Sequence, residues 1–262
     1  MKSSNYSRAS TVAVYVAITF MLFPLIAVVP VSFTGGHRLS MPNGDWSLIH
    51  YHQIFESAGW RQGVWTSLIV GVLSAGIVTV LATLFSLGAW YSESRWVRGL
   101  IGIVLAPMAV PPVVSSVAVY LFTINTNLYD TMLGVVIAHA IVAVPYAVVV
   151  LLVSLSQISR QLEMAARGMG ASIWQTTFWV ILPNIRFGIV AAAFLSFIMS
   201  WEEITLTIFV TSTNIRTLPI LIWQGLRDNI DPSIAAISVV LIVLTGLGML
   251  VRFLIESHPI HQ

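Results

Sequence analysis

Two adjacent carboxylates, Glu202 and Glu203, lie inside an apolar stretch that also holds Trp201, Ser196, Ser200 and Thr207. An ionised carboxylate in hydrocarbon is costly, so it faces a protein interior or a water-filled cavity, where it can hold a cation. With the Trp201 indole beside it for a cation–π contact, the pair suits an ammonium group. If the stretch is one helix, Ser196, Ser200, Glu203 and Thr207 share a face, spaced four, three and four apart. Glu202 falls instead with Leu195, Ile198, Leu206 and Phe209, which makes Glu203 the stronger candidate. A second reading stands beside this one: one or both glutamates pair with a helix of another subunit or reach the outer interface.

The remaining polar candidates are few. His139, set among Ala138, Ala140 and Ala143, reads first as an interhelical hydrogen-bonding residue, with a proton relay as the alternative. Asp130, near Asn125 and Asn127, is expected to cap the helix that follows. There is no cysteine, which removes disulfides, thiolate metal sites and Cys nucleophiles. No Gly-x-x-x-x-Gly-Lys-Ser/Thr loop is present, so nucleotide must bind elsewhere, and no Gly-x-Ser-Gly pattern supports intramembrane serine chemistry.

The elements that position these residues follow from where charge is missing. Of 262 residues, 57% are hydrophobic and 8% charged, and the mean hydropathy is +0.90. That is too little charge to wet a globular surface of this size. A formal net charge of +2 also argues against a broad nucleic-acid surface. Charge-poor stretches at 11–33, 62–92, 99–129, 131–159, 187–210 and 232–251 are each long enough to cross a bilayer. The expected fold class is therefore all-α and polytopic, with six transmembrane helices. The first stretch exceeds the apolar core of a signal peptide and reads as a retained helix. It follows a terminal segment at 1–10 and precedes an outer loop at 34–61, with a tail at 253–262.

Six spans leave both termini on one side. Lys2, Arg8, Arg95, Arg98, Arg160, Arg167, Arg186 and Arg252 fall on that side, against Arg38, Arg61, Arg216 and Arg227 opposite, so the termini are expected in the cytoplasm. Glu202 and Glu203, about 16 residues into the fifth span, then lie about 24 Å across a core of about 30 Å, towards the outer leaflet. The outer loop carries Trp46, Tyr51, His52, Phe55 and Trp60, which suits either the membrane interface or reception of a soluble partner.

Within the second span, Ser67, Gly71, Ala75, Thr79 and Thr83 form a small-residue ridge for close helix approach. Pro107, Pro111 and Pro112 should kink or interrupt the third span, either as a packed kink or as a break lining a path. The link at 159–186 is too long for a simple turn. Residues 161–170 and 171–180 read as two short helices bent at Gly168 and Gly170, the second with an apolar face of Ile173, Trp174, Phe178 and Ile181. Pro183 marks a helix start. Such a hairpin either lies on the membrane or docks a cytoplasmic partner.

Ala165 and Ala166, then Gly170, Val180, Leu182 and Pro183 at fixed spacing, resemble the EAA loop of binding-protein-dependent ABC importer permeases. Met164 stands where that pattern has Glu, with Glu163 one position earlier, and Val180 replaces Ile. Residues 62–252 resemble the permease core domain of the type I importers. The stretches Trp201-Glu202-Glu203, Arg216-Thr217-Leu218-Pro219 and Asp231-Pro232-Ser233-Ile234-Ala235-Ala236 resemble the second permease subunit of spermidine/putrescine importers.

The resemblance implies a bacterial inner-membrane subunit. It would act with a second homologous permease, two copies of a cytoplasmic ABC ATPase that uses ATP and Mg, and a periplasmic solute-binding protein. The chain itself would bind no cofactor or metal and would not be an enzyme. Glu163, Ala165, Ala166, Gly168, Gly170, Leu182 and Pro183 would belong to the coupling loop, with 163–175 as the coupling helix. A small cationic amine is the solute implied, with other organic solutes or metal ions as alternatives. A self-contained secondary carrier is the runner-up, but no internal repeat of the kind common there is visible.

Overall fold

A computed structural model describes residues 8–92, 94–228 and 231–256. Lys2, Glu93 and the tail beyond Glu256 lie outside the described residues. The described residues are helical, with one isolated antiparallel bridge between Thr34 and Trp46. Among the described residues four helices are long and apolar enough to cross a membrane, or up to six spans if each of two bent pairs counts as one.

The chain divides into two compact units. In the first, Met1–Arg61 with Ile222–Gln262, helix α1 (Arg8–Val31) packs against α13 (Ser233–Glu256), as does the short α2 (Ile49–Glu56). The outer loop is thus folded. Ser32 and Tyr51 share a 2.7 Å hydrogen bond, and Phe33 lies 5.5 Å from the Tyr51 ring. His37, His50, Gln53, Asp231 and Pro232 line a small recess beside it.

The second unit, Gln62–Leu221, takes in most of α3 (Ala58–Tyr91) and continues through α4 (Arg95–Leu105), α5 (Pro112–Asn125) and α6 (Met132–Ser156). Its later elements are α7 (Arg160–Gly168), α8 (Ile173–Thr176), α9 (Leu182–Asn184), α10 (Arg186–Trp201) and α11 (Thr205–Val210). A further helix, α12 (Leu218–Asp228), lies beyond the charge-poor stretches and was not foreseen from them.

Small residues bring α3, α6 and α10 together. Val78 and Ala82 meet Ala140, Ala143, Ala147, Val148 and Leu151 of α6, with Ala192 of α10. Such side chains let helix backbones approach closely where no hydrophobic drive operates between lipid-soluble helices. The expected ridge is buried at Ser67, Gly71 and Ala75 and half-buried at Thr79 and Thr83. A Cβ on Gly71 would sit 2.8 Å from the Phe197 ring of α10, so glycine seats that ring against α3. The Ser74 hydroxyl donates to the Val136 carbonyl of α6 at 3.1 Å.

The prolines of the third span interrupt it. A 3-10 turn at Ala106–Ala109 ends α4, Pro111 is extended, and Pro112 opens α5 at a bend of 107°. Pro111 and Pro112 lack the donors an unbroken helix would need there. Met108 through Val114 are exposed, so this break is not packed within the chain.

Candidate functional sites at the fifth-span break and the 159–186 loop

The expected fifth span at 187–210 is corrected in its bounds. The bent pair that can count as one span joins Ile173–Asn184 to Arg186–Trp201 at 68°, and the stretch beyond it is not one helix. α10 stops at Trp201, Glu202 caps it, and the chain resumes as α11 at Thr205. The common face drawn through Ser196, Ser200, Glu203 and Thr207 is corrected accordingly: three of the four remain buried, but Glu203 sits in the break. The Glu203 carboxylate accepts the Leu206 N–H at 2.8 Å, and its backbone carbonyl accepts the Thr207 hydroxyl at 2.9 Å. The side chain therefore starts α11 by taking one of the N–H groups that a first helical turn leaves free. Glu202 is exposed and Glu203 half-buried. Trp201 stacks on Phe197 at 5.8 Å, which ties the edge of the break to the ring seated on Gly71.

His139 of α6 clasps both sides of the break. Its Nδ1 lies 2.7 Å from Ser200 Oγ and its Nε2 2.9 Å from Thr207 Oγ1. The Thr207 hydroxyl hydrogen is committed to the Glu203 carbonyl, so Thr207 Oγ1 must accept from the imidazole. That places the ring proton on Nε2 and leaves Nδ1 to accept from Ser200. The tautomer is fixed by this argument: Ser200 donates to His139, His139 to Thr207, and Thr207 to the Glu203 carbonyl. The histidine is the interhelical hydrogen-bonding residue of the first reading.

Asp130 does not cap α6; Thr131 does, accepting the Gly134 N–H at 3.1 Å. Asp130 instead has a φ of 55° and receives the N–H groups of Ser212, Thr213, Asn214 and Ile215 at 3.0 to 3.3 Å. Burial pushes its carboxyl pKa up, but the four backbone donors outweigh this and hold it below 3.8.

The 159–186 loop holds the two short helices expected, with Gly170 at a φ of +90° between them. A left-handed φ of this size favours glycine. A reciprocal Ser172–Gln175 capping box opens α8. A π-helical turn at Thr177–Ile181 then leads into α9. Pro183 has no N–H to continue the α-helical ladder, and the Asn184 side chain serves the Val180 carbonyl at 2.7 Å. The predicted apolar face divides, because Ile181 is buried while Ile173, Trp174 and Phe178 are exposed.

The motif residues divide as well. Glu163 and Ala166 are buried; Met164, Ala165, Gly168, Gly170 and Pro183 are exposed, with Leu182 between. Glu163 is 3.1 Å from Arg160 and 3.5 Å from Arg167, both on its own helix. Its carboxylate is turned inward, and Met164 holds the outer position. Arg160 also donates to the Trp90 carbonyl and lies 4.0 Å over the Trp90 ring at the end of α3. Tyr91 and Thr177 add a 2.8 Å hydroxyl contact. Sequence reading missed Arg160 and Trp90, since no linear spacing links positions 70 residues apart. The one local sign was an aromatic pair, Trp90-Tyr91, closing an apolar span.

Residues 82–258 match the family described as binding-protein-dependent transport system inner membrane component. The chain is similar to the putrescine transport system permease protein PotI of Escherichia coli (strain K12), 24% identical over 243 residues, covering 90% of this chain and 86% of that one. It is similar to the spermidine/putrescine transport system permease protein PotC of Haemophilus influenzae, 22% identical over 232 residues, covering 88% and 90%. A shorter stretch of 152 residues is 30% identical to the Fe(3+)-transport system permease protein FbpB 2 of Haemophilus influenzae, covering 57% of this chain and 29% of that one. Among solved structures, a bacterial ABC transporter involved in the import of the acidic polysaccharide alginate matches with a TM-score of 0.67 at 16% identity, covering 98% and 100%. That last likeness is one of fold.

Proposed function

The chain belongs to the family of binding-protein-dependent transport system inner membrane components, and from that premise we propose that it forms one half of the path for a small cationic amine in an ATP-driven importer. The other half is a second, homologous permease. Two copies of an ABC ATPase, using ATP and Mg, supply the work, and a periplasmic binding protein delivers the solute. Both termini lie in the cytoplasm, as the Lys and Arg bias requires. The chain binds no nucleotide and catalyses no reaction itself.

What supports the amine reading is the pair Glu202 and Glu203 at the irregular link between α10 and α11. The last residue of α10, Trp201, also ends the bent candidate span, and the charge-poor stretch 187–210 sets the link towards the outer leaflet. Non-helical backbone at membrane depth is tolerated where it lines a cavity or is buried in protein, and a carboxylate there favours a cation. The likeness to PotI over 90% of the chain supports the same choice. The FbpB 2 likeness covers 57% of this chain and 29% of that protein.

The exposed ridge of Met164, Ala165 and Gly168 with the bend at Gly170 is the contact with the ATPase. Its displacement when the ATPase dimer closes moves α6 and α10 between two arrangements, and that difference in partner contact is the coupling. The test is purification of the chain with its neighbouring transport subunits, followed by uptake of labelled putrescine and spermidine into proteoliposomes. ATP-dependent uptake that needs the binding protein is expected. Gly170→Asp should leave the complex inserted and abolish uptake. Absence of a co-purifying ATPase sinks the importer assembly; a working importer that ignores both amines sinks only the solute.

A further inference from the structure

The loop at 159–186 is joined by its chain to α6 and α10, yet several of its side-chain contacts run to a third helix, α3. Arg160, the first residue of α7, places its guanidinium 4.0 Å over the Trp90 ring and donates to the Trp90 carbonyl. It also donates to Glu163 at 3.1 Å, and Arg167 closes on the same carboxylate at 3.5 Å. An exposed ion pair adds little by itself. Here Glu163 is buried and holds the guanidinium plane where it covers the indole, a geometry that a lysine ammonium fills only in part. The second half of the loop adds its own ties. Tyr91 meets Thr177 at 2.8 Å, and Ile181 and Ile185 are buried against Leu87 and Leu155 with Trp90 and Tyr91 packed alongside.

From Trp90, α3 runs as an uninterrupted helix to Gly71, about 28 Å away at 1.5 Å per residue. Gly71 is where the Phe197 ring seats, and Phe197 stacks on Trp201 at the edge of the fifth-span break. One continuous helical run is therefore latched to the loop at Trp90 and meets, at Gly71, the Phe197 ring that stacks on Trp201 beside Glu202 and Glu203.

We propose that Arg160, held on Trp90, is a positioning residue that ties the 159–186 loop to α3, so that α3 carries movement of the loop to the Phe197–Trp201 stack at the fifth-span break. The inference rests on the importer reading, but the latch itself can be tested apart from it. Glu163 serves inside this latch and is not offered to a partner.

The chain has no cysteine, so Gly88→Cys on α3 and Gln161→Cys on α7 can carry a spin-label pair without further changes. Gly88 has open space around its missing Cβ, and Gln161 is exposed. In the purified chain the distance distribution should be narrow, and Arg160→Ala should broaden it. In the complete importer the distribution should stay the same between the nucleotide-free and ATP-trapped states. Labelled putrescine taken up per ATP hydrolysed should fall about tenfold in Arg160→Ala. Arg160→Lys should recover part of that loss, and Trp90→Leu, which keeps the carbonyl, should reproduce it. The double variant should be no worse than either single one, because both remove the same contact.

An unbroadened distribution in Arg160→Ala overturns the latch. An unchanged uptake-to-hydrolysis ratio in both single variants, with a coupled parent, overturns its role in transmission. Should Arg160→Ala fail to fold, Trp90→Leu carries both measurements. A parent chain with no associated ATPase removes the importer reading instead and leaves the spin-label result standing.

Discussion

Asp130 accepts the Ser212 N–H at 3.0 Å across 82 residues of sequence, and the next three backbone donors turn to the same carboxylate. The Asp130 N–H in turn reaches the Val210 carbonyl at 3.0 Å, and Tyr129 donates to the Thr211 carbonyl at 3.3 Å. The link between α5 and α6 is thereby locked to the link between α11 and α12. Asp130→Ala should cost about 2 kcal/mol, the range for hydrogen bonds to a charged acceptor, read as a lowered melting midpoint in detergent.

Because this carboxyl is held below 3.8 in the fold, its contribution is full above that ordinary value. It disappears as pH falls through the lower folded value. The gap in melting midpoint between parent and Asp130→Asn should be present at neutral pH and close in strong acid. A gap that widens on acidification would contradict the assignment.

Glycines separate positions where close approach is essential from those where it is not. A methyl on Gly134 would overlap the Leu128 backbone carbonyl, which is fixed by the Thr131 cap, whereas nothing lies within 4 Å of the corresponding point on Gly76. Gly134→Ala should therefore destabilise by about 3 kcal/mol, at the upper end of overpacking costs. Gly76→Ala should be neutral or stabilise by up to about 1 kcal/mol through helix propensity. Thermal unfolding of the two variants side by side decides it, and equal melting points would refute the packing.

The hydrogen-bond relay through His139 ranks two further variants. Ser200→Ala removes one donor to a ring nitrogen, at about 1 kcal/mol. Thr207→Val removes both the acceptor for the ring N–H and the donor to the Glu203 carbonyl, and should cost about 2 to 3 kcal/mol. Nitrogen chemical shifts of His139 should show the proton on Nε2. A ring protonated on Nδ1, or a Ser200→Ala loss larger than that of Thr207→Val, would reverse the direction of the relay.

The sequence showed the spans because charge is absent from them, and the loop because a hairpin does not need so many residues. Those are one-dimensional signals. The break at Glu202 to Ile204 was hidden, since no glycine or proline marks it and the small polar face continues through Thr207. What starts α11 there is a side chain reaching its own downstream backbone, which periodicity does not register. Asp130 has the residue type and position of a helix cap, but Thr131 takes that role, and the partners of Asp130 come from another link of the chain. Arg160 and Trp90 escaped for the same reason. Pro111 and Pro112 were legible because a missing donor acts locally.

Glu203 has two separable duties, one structural and one of charge. Glutamine at this position retains an acceptor for the Leu206 N–H, so Glu203→Gln should keep the start of α11 and the melting point while removing the negative charge. Alanine removes both and should cost about 1 kcal/mol of stability. If the carboxylate meets a passing ammonium group, Glu203→Gln should raise the KM for putrescine uptake about tenfold, within the worth of one charged contact. Glu202→Gln should have the smaller effect, since Glu202 is exposed while the Glu203 carboxylate is half-buried at the break. Uptake kinetics unchanged in Glu203→Gln, with a lowered melting point in Glu203→Ala, would leave Glu203 as a helix cap and move the cation path to another face.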